Sequence, residues 1–131
     1  MRLAPGAWRS LGLGGAEEAN KGIRPQGYSP YRISPRLKSR TIIGRKLLRS
    51  GTSVGAAYRA ACRARSKLDF ISRTRIAIQE ADESLYWMEM LVDADLMPRE
   101  KLAPVMKEAS EVIAILTASV KKARAHLRQK S

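Results

Sequence analysis

Few residues in this chain are equipped for covalent chemistry. It has one histidine, His126, and one cysteine, Cys62. Ser-His-Asp and Cys-His catalysis would both have to use His126, which stands in a charged stretch without the partners that nucleophilic catalysis needs. Cys62 sits among small residues and reads as a small core filler. Two carboxylate pairs, Glu80-x-x-Glu83 and Glu108-x-x-Glu111, invite comparison with a metal centre. Di-iron bundles, however, take a Glu-x-x-His from two of their helices, and neither pair supplies the histidine. Zinc spacing is excluded by one Cys and one His. No phosphate-binding loop is present, and Gly12-x-Gly14-Gly15 introduces no strand–helix unit. The expectation is no enzyme, no metal and no cofactor. Glu80 and Glu83 are expected to face a basic helix and pair with Arg45 or Arg49, because a half-buried carboxylate without a partner is costly to desolvate.

The remaining chemistry is electrostatic. The formal charge is +13, and it is unevenly spread. Between Arg36 and Arg65 there are nine Lys and Arg and no acid, whereas Asp69 to Asp95 holds seven acids against Arg73 and Arg75. Cations return at Lys121, Lys122, Arg124, Arg128 and Lys130. Such asymmetry favours a polyanionic partner; the competing reading is a solvated basic surface with internal ion pairing. Arg45, Arg59, Arg63, Arg65, Lys121, Lys122 and Arg124 are the expected nucleic-acid contacts. Tyr58, Tyr86 and Trp87 admit a base-stacking reading. Tyr86 and Trp87 adjoin an apolar seam on an acidic helix, so core or subunit packing is the preferred role.

These groups must be positioned by helices. Residues 1–36 carry Gly6, Gly12, Gly14, Gly15, Gly22, Gly27, Pro5, Pro25, Pro30 and Pro35 without helical or strand periodicity, and read as irregular. Trp8 and Tyr31 are the groups there able to dock elsewhere. From Leu37 a helical face appears: Ile42, Ile43, Leu47, Leu48, Val54. One helix is expected from about 35–41 to Ala64, with Gly51 as the point where it can bend; the alternative is two short helices with a break there. Gly44, Gly51 and Gly55 each weaken it by about 1 kcal/mol relative to Ala; their small neighbours point to close approach of another backbone. Ser66-Lys-Leu-Asp69 resembles a capping box with Asp for Glu. The following helix, about Leu68 to Ala94, carries the seam Ile71, Thr74, Ile78, Ala81, Leu85, Met88, Val92. Beside it runs a second stripe, Ile76, Glu80, Glu83, Trp87 and Met90. Asp95-Leu-Met-Pro98 is a turn. Pro104 cannot sit inside a helix without a kink. An irregular stretch over Pro98–Ala103 is therefore expected, then a helix to about His126 with the seam Leu102, Val105, Ala109, Val112, Leu116, Ser119, Ala123, Leu127.

At 131 residues the chain is one all-α domain at most, with a bundle over 37–127 and a basic tail at 128–131. One cysteine excludes an internal disulfide and fits a reducing compartment. No apolar run approaches the roughly 20 residues of a membrane span. A cytoplasmic location without membrane contact is expected.

Two segments carry a family resemblance. Gly44-Arg-Lys-Leu-Leu-Arg-Ser-Gly-Thr-Ser-Val-Gly-Ala-Ala-Tyr-Arg-Ala-Ala-Cys-Arg-Ala-Arg-Ser66 resembles the second helix of the four helix bundle protein family, also called the 23S rRNA intervening-sequence protein family. Asp69-Phe-Ile71 with Ile76-Ala-Ile-Gln-Glu-Ala-Asp-Glu-Ser-Leu-Tyr-Trp87 resembles its third helix, and Ala109 to Ala123 its last. The resemblance covers about residues 36–127. It implies an antiparallel up-and-down bundle of the four-helix type that forms a homo-oligomeric ring, commonly a pentamer, and a link to inserted sequences in ribosomal RNA. A related group, the accessory variability determinants of diversity-generating retroelements, binds nucleic acid and a reverse transcriptase with such a ring. Two departures stand out. Ala57 occupies the position of a family Asn, so a polar contact is missing. Nothing before residue 36 resembles the family's first helix, which looks missing or degraded. Its absence predicts an apolar groove lined by residues such as Leu85, Met88 and Leu116.

The expected function is therefore non-enzymatic binding of RNA, alone or with a protein partner. The alternative is an oligomerisation or partner scaffold with no nucleic-acid role.

Overall fold

A computed structural model of the chain describes residues 33–130. The irregular segment expected over 1–36 lies outside the described residues as far as residue 32, as do Trp8 and Tyr31. Pro35 and Arg36 already belong to the first helix. Three helices make up the fold: α1 (Pro35–Cys62), α2 (Lys67–Asp93) and α3 (Arg99–Gln129). They run antiparallel in sequence order, and no strand occurs among the described residues.

Each helix end has an identifiable cause. Ser34 caps α1, its hydroxyl accepting from the Leu37 N–H at 3.2 Å, and Pro35 opens the first turn. Proline is tolerated there because that N–H has no helical partner. Ser66 caps α2, accepting from the Asp69 N–H at 3.0 Å. The return bond of the box goes to Arg65 rather than to the cap itself, and the Arg65 N–H donates to Asp69 Oδ2 at 3.2 Å. α2 ends in a Schellman motif: Leu96 N–H donates to the Leu91 carbonyl at 2.9 Å and Asp95 N–H to that of Val92 at 3.0 Å. Asp95 takes the left-handed position, φ 56°, more often filled by glycine. The Arg36 guanidinium donates to the Asp95 carbonyl and ties the start of α1 to this turn.

α1 runs unbroken through Gly51 as one helix, so the alternative of two short helices falls away. One local expectation fails: α3 begins at Arg99 rather than after Ala103. Pro104 is inside the helix. It deletes only the bond to the carbonyl of Glu100, an exposed residue where water can replace it.

α2 is the middle layer. α1 and α3 both pack on it, and no Cα of α1 lies within 8 Å of one in α3. Pressure from two sides moves its most buried line to Ile71, Thr74, Ala77, Ala81, Ser84, Met88 and Leu91. Ile78, Leu85 and Val92, expected on the seam, are half-buried beside it. On α3 the buried line is Leu102, Val105, Ala109, Leu116 and Val120. The core cluster joins Leu47, Met88, Leu91, Met97, Leu102, Val105 and Ala109, so its large side chains gather at the α2–α3 turn. Met88 and Leu116 are 1% and 3% exposed, so neither lines an open groove as expected. Among the glycines, Gly44 is buried within the bundle. Gly55 faces open space, since a methyl group there would meet nothing within 4 Å, so it serves no close approach inside this chain.

Candidate nucleic-acid interface

The short α1–α2 turn and the antiparallel course of α3 bring three basic segments to one end of the bundle. Residues 59–73 hold Arg59, Arg63, Arg65, Lys67 and Arg73 against Asp69 alone, and residues 119–130 hold Lys121, Lys122, Arg124, Arg128 and Lys130 with no acid. Arg59 lies in the last turn of α1 and Arg128 in the last turn of α3, where cations complement the partial negative charge of the helix end.

Four arginines surround one hollow. Ala56, Arg59, Ala60 and Arg63 share a face of α1 at i, i+3, i+4, i+7 spacing, Arg65 comes from the turn, and Arg73 from the second turn of α2. The hollow is open to solvent, about 590 Å³, with the two alanines contributing its recess. Arg59, Arg63 and Arg65 have no carboxylate within 4.0 Å of their side-chain nitrogens among the described residues. Arg73 is held: its Nε donates to Asp69 Oδ1 at 2.9 Å and Oδ2 at 3.0 Å. Asp69 thus ties turn and helix together. The Arg65 N–H bond, then the Arg73 guanidinium, hold its carboxyl below the ordinary value of 3.8. Sequence reasoning passes over Arg73 as a binding residue, because a cation four residues from an acid reads as an i,i+4 pair. Only the turn shows that its guanidinium also borders the arginine hollow.

On the α3 side of α2 lies a second, shallower hollow of about 320 Å³, lined by Lys67, Phe70, Ser119, Lys122, Ala123 and His126. Lys122 therefore sits on a defined surface feature, Lys121 is exposed beside it, and Arg124 is half-buried. Arg45 is not part of this end. It is exposed on α1, some 21 Å along the axis from Arg59 at 1.5 Å per residue.

The acidic side of α2 divides into two different environments. Arg49 and Glu83 meet at 3.9 Å, with side chains 69% and 40% exposed. Glu83 also accepts from Trp87 Nε1 at 3.2 Å. Trp87 in turn lies under Lys46 Nζ, 5.2 Å from the ring centroid, and packs edge-on against Tyr86 at 4.9 Å. Glu80 does not join this group. Its Oε2 is buried without a hydrogen-bond partner, and no cation approaches within 4.0 Å among the described residues, contrary to the expected ion pair. The inter-helix register explains this: contacts 49–83, 50–84 and 46–87 set Glu80 opposite Val54, not opposite an arginine. Cys62 is exposed rather than a core filler. It lies one turn from the exposed Tyr58, and hydrogen bonding to the thiol, followed by its charge and by burial, raises the phenol above 10.0. Among the described residues no group of three His, Cys, Asp or Glu is placed to hold a metal ion, and no helix is long and apolar enough to cross a membrane.

Comparison with known proteins gives two matches of use. The family described as 23S rRNA-intervening sequence protein matches residues 30–118. A crystal structure from Bacteroides thetaiotaomicron VPI-5482, described as a protein with unknown function from the S23 ribosomal protein family, is similar at 36% identity and a TM-score of 0.60, covering 61% of this chain and 74% of that one. None of the curated proteins matches. With the three packed helices in place and the match spanning α1, α2 and most of α3, the chain belongs to the 23S rRNA-intervening sequence protein family.

Proposed function

We propose that this chain is a non-enzymatic RNA-binding protein that grips phosphates at the end of the bundle where α1 and α3 finish and α2 begins. The observation that carries the reading is the hollow bordered by Arg59, Arg63, Arg65 and Arg73, three of them without a counter-charge among the described residues. Guanidinium groups offer paired N–H donors that match phosphate oxygens. Lys121, Lys122 and Arg124 extend the same field. Arg45 contributes at a distance, as part of the general charge of α1.

The test is RNA retention as a function of salt. Binding through phosphates weakens with a log–log slope of about 0.7 per neutralised phosphate on a single strand. Replacing Arg59, Arg63 and Arg65 by Ala together should lower affinity and flatten the slope by roughly 2 while helix content stays constant. An unchanged slope would move the contact surface elsewhere. No retention at 150 mM salt would favour a scaffold without a nucleic-acid role.

A second feature supports homo-oligomeric assembly, with a pentameric ring as the expected form and the three helices as the last three of a four-helix plan. Leu37, Leu48 and Tyr58 are 50%, 42% and 38% exposed along the outer side of α1, and Gly55 between them faces open space. An apolar stripe of this kind marks an interaction surface. Gly55→Ala should add about 0.5–1 kcal/mol to helix stability, whereas Gly55→Leu should break assembly in sedimentation. Identical sedimentation of Gly55→Leu and the parent chain would remove this face from the interface.

A further inference from the structure

The hollow between the start of α2 and the end of α3 differs in kind from the arginine hollow. Its wall is Phe70, the one phenylalanine of the chain, with Ala123 and the ring of His126; Lys67 and Lys122 supply cations from opposite helices. A phosphate-only site has no use for an apolar wall. A cleft for an apolar peptide has no use for two ammonium groups. A flat aromatic ring attached to a phosphate needs both.

We infer that this hollow is a stacking site for one unpaired nucleobase, with Phe70 and His126 as its platform and Lys67 and Lys122 on the flanking phosphates; the inference rests on the RNA-binding reading above. The volume of about 320 Å³ is ample for one base. The backbone at Phe70 is held on both sides. Its N–H donates to the Ser66 carbonyl at 2.9 Å, and its own carbonyl accepts from Thr74 Oγ1 at 2.7 Å. The cap at Ser66 anchors the same turn. On α3, Ser119, Lys122 and His126 follow at three- and four-residue spacing and so present one face to it. The first turns of α2 form a ridge with the arginine hollow on one side and the Phe70 hollow on the other. A flexible single strand can cross that ridge, backbone on the arginines and a base turned into the apolar recess. A duplex cannot, because its bases are paired and stacked within the helix, so no base face is free to turn into the recess. The protein should therefore prefer unpaired RNA to a duplex of the same sequence, as single-strand readers do when aromatic side chains take up splayed bases.

The experiment uses the full chain and a mixed-sequence oligoribonucleotide carrying one 2-aminopurine, free or annealed to its complement. Phe70→Leu keeps an apolar side chain but removes the ring, and His126→Ala removes the other ring at an exposed position. On binding the single strand, the parent chain should quench 2-aminopurine. Phe70→Leu should lose the quenching and about tenfold in single-strand affinity, in line with stacking on one aromatic. Its salt slope and duplex affinity should not change. Phe70→Tyr should retain the quenching, which separates loss of the ring from loss of fold. Should Phe70→Leu and His126→Ala bind and quench as the parent does, the stacking site is refuted, while RNA binding that still depends on Arg59, Arg63 and Arg65 would leave the phosphate reading intact. Equal parental affinity for single strand and duplex also overturns it. If the parent binds no RNA at all, both readings fall together.

Discussion

Ser84 Oγ lies 2.9 Å from Ser50 Oγ, across the contact between α1 and α2. Ser50 is wholly buried and Ser84 is 6% exposed. Each hydroxyl also has a carbonyl in reach on its own helix: Leu47 for Ser50 at 3.1 Å and Glu80 for Ser84 at 2.8 Å. Neither group depends on the other for satisfaction, so the pair matters chiefly because serine is small enough to let the helices close.

Size should therefore dominate chemistry at this position. Ser50→Ala leaves the Ser84 hydroxyl on its carbonyl and should cost about 1 kcal/mol or less. Ser50→Leu overfills the contact and should cost about 1–3 kcal/mol. Urea unfolding of both variants checks the order. A Ser50→Ala loss equal to that of Ser50→Leu would show that the hydrogen bond, not the spacing, holds the interface.

The carboxylates of Glu83 and Glu80 should respond in opposite ways to removal. The Arg49–Glu83 pair is long and wet, and a double-mutant cycle should give a coupling of about 0.5 kcal/mol or less. Glu80 buries an oxygen with nothing to accept from. Glu80→Met should be neutral or stabilising, because an unmet polar atom costs about 1–3 kcal/mol. Ala57 lies one turn beyond Val54, on the side toward which a Glu80 side chain leans. Ala57→Asn should supply the missing donor and raise the urea midpoint in the parent chain, but not in Glu80→Met. A rise of equal size in both would mean that the introduced amide acts without Glu80.

Acid should loosen the α1–α2 turn through Asp69. Its carboxyl is held below 3.8 in the folded chain, first by the Arg65 N–H and then by Arg73. A group whose folded pKa is depressed contributes its stability above the unfolded value, and that contribution is lost as pH falls through the folded one. The urea midpoint of the parent chain should therefore fall between about pH 4 and the acid limit, and Asp69→Asn should lack that component while being less stable at pH 7. Parallel pH curves for parent and variant would rule Asp69 out as the source.

The helices were legible because three–four spacing of apolar residues is a local signal. The Ser66 cap and the turn at 95–98 were legible for the same reason. What required the fold was the relation between helices. Ile78, Leu85 and Val92 look central on α2 by period alone, yet contact on two sides puts Ala77, Ser84 and Leu91 there. Small residues have weak apolar signatures, so a seam made of Ala and Ser is hidden in sequence. Glu80 looks paired because basic residues are abundant on α1; the register that sets it opposite Val54 cannot be read from one chain of letters. Arg59, Arg63 and Arg65 are visible as a cluster without acids. Arg73 and Phe70 become functional candidates only when the turn folds them to the same end.

The middle position of α2 has a consequence for assembly in time. Because α1 and α3 pack on α2 and no Cα of one lies within 8 Å of a Cα of the other, the first and third helices alone have little backbone contact from which to form an early species. Two hairpins, α1–α2 and α2–α3, are each joined by a short connection and can each close early, which makes for rapid folding by two parallel routes. The routes are unequal: the large side chains cluster near the 94–98 turn, whereas the 63–66 turn is surrounded by like charges. The second hairpin should lead, and the basic end should be the last part of the molecule to take shape.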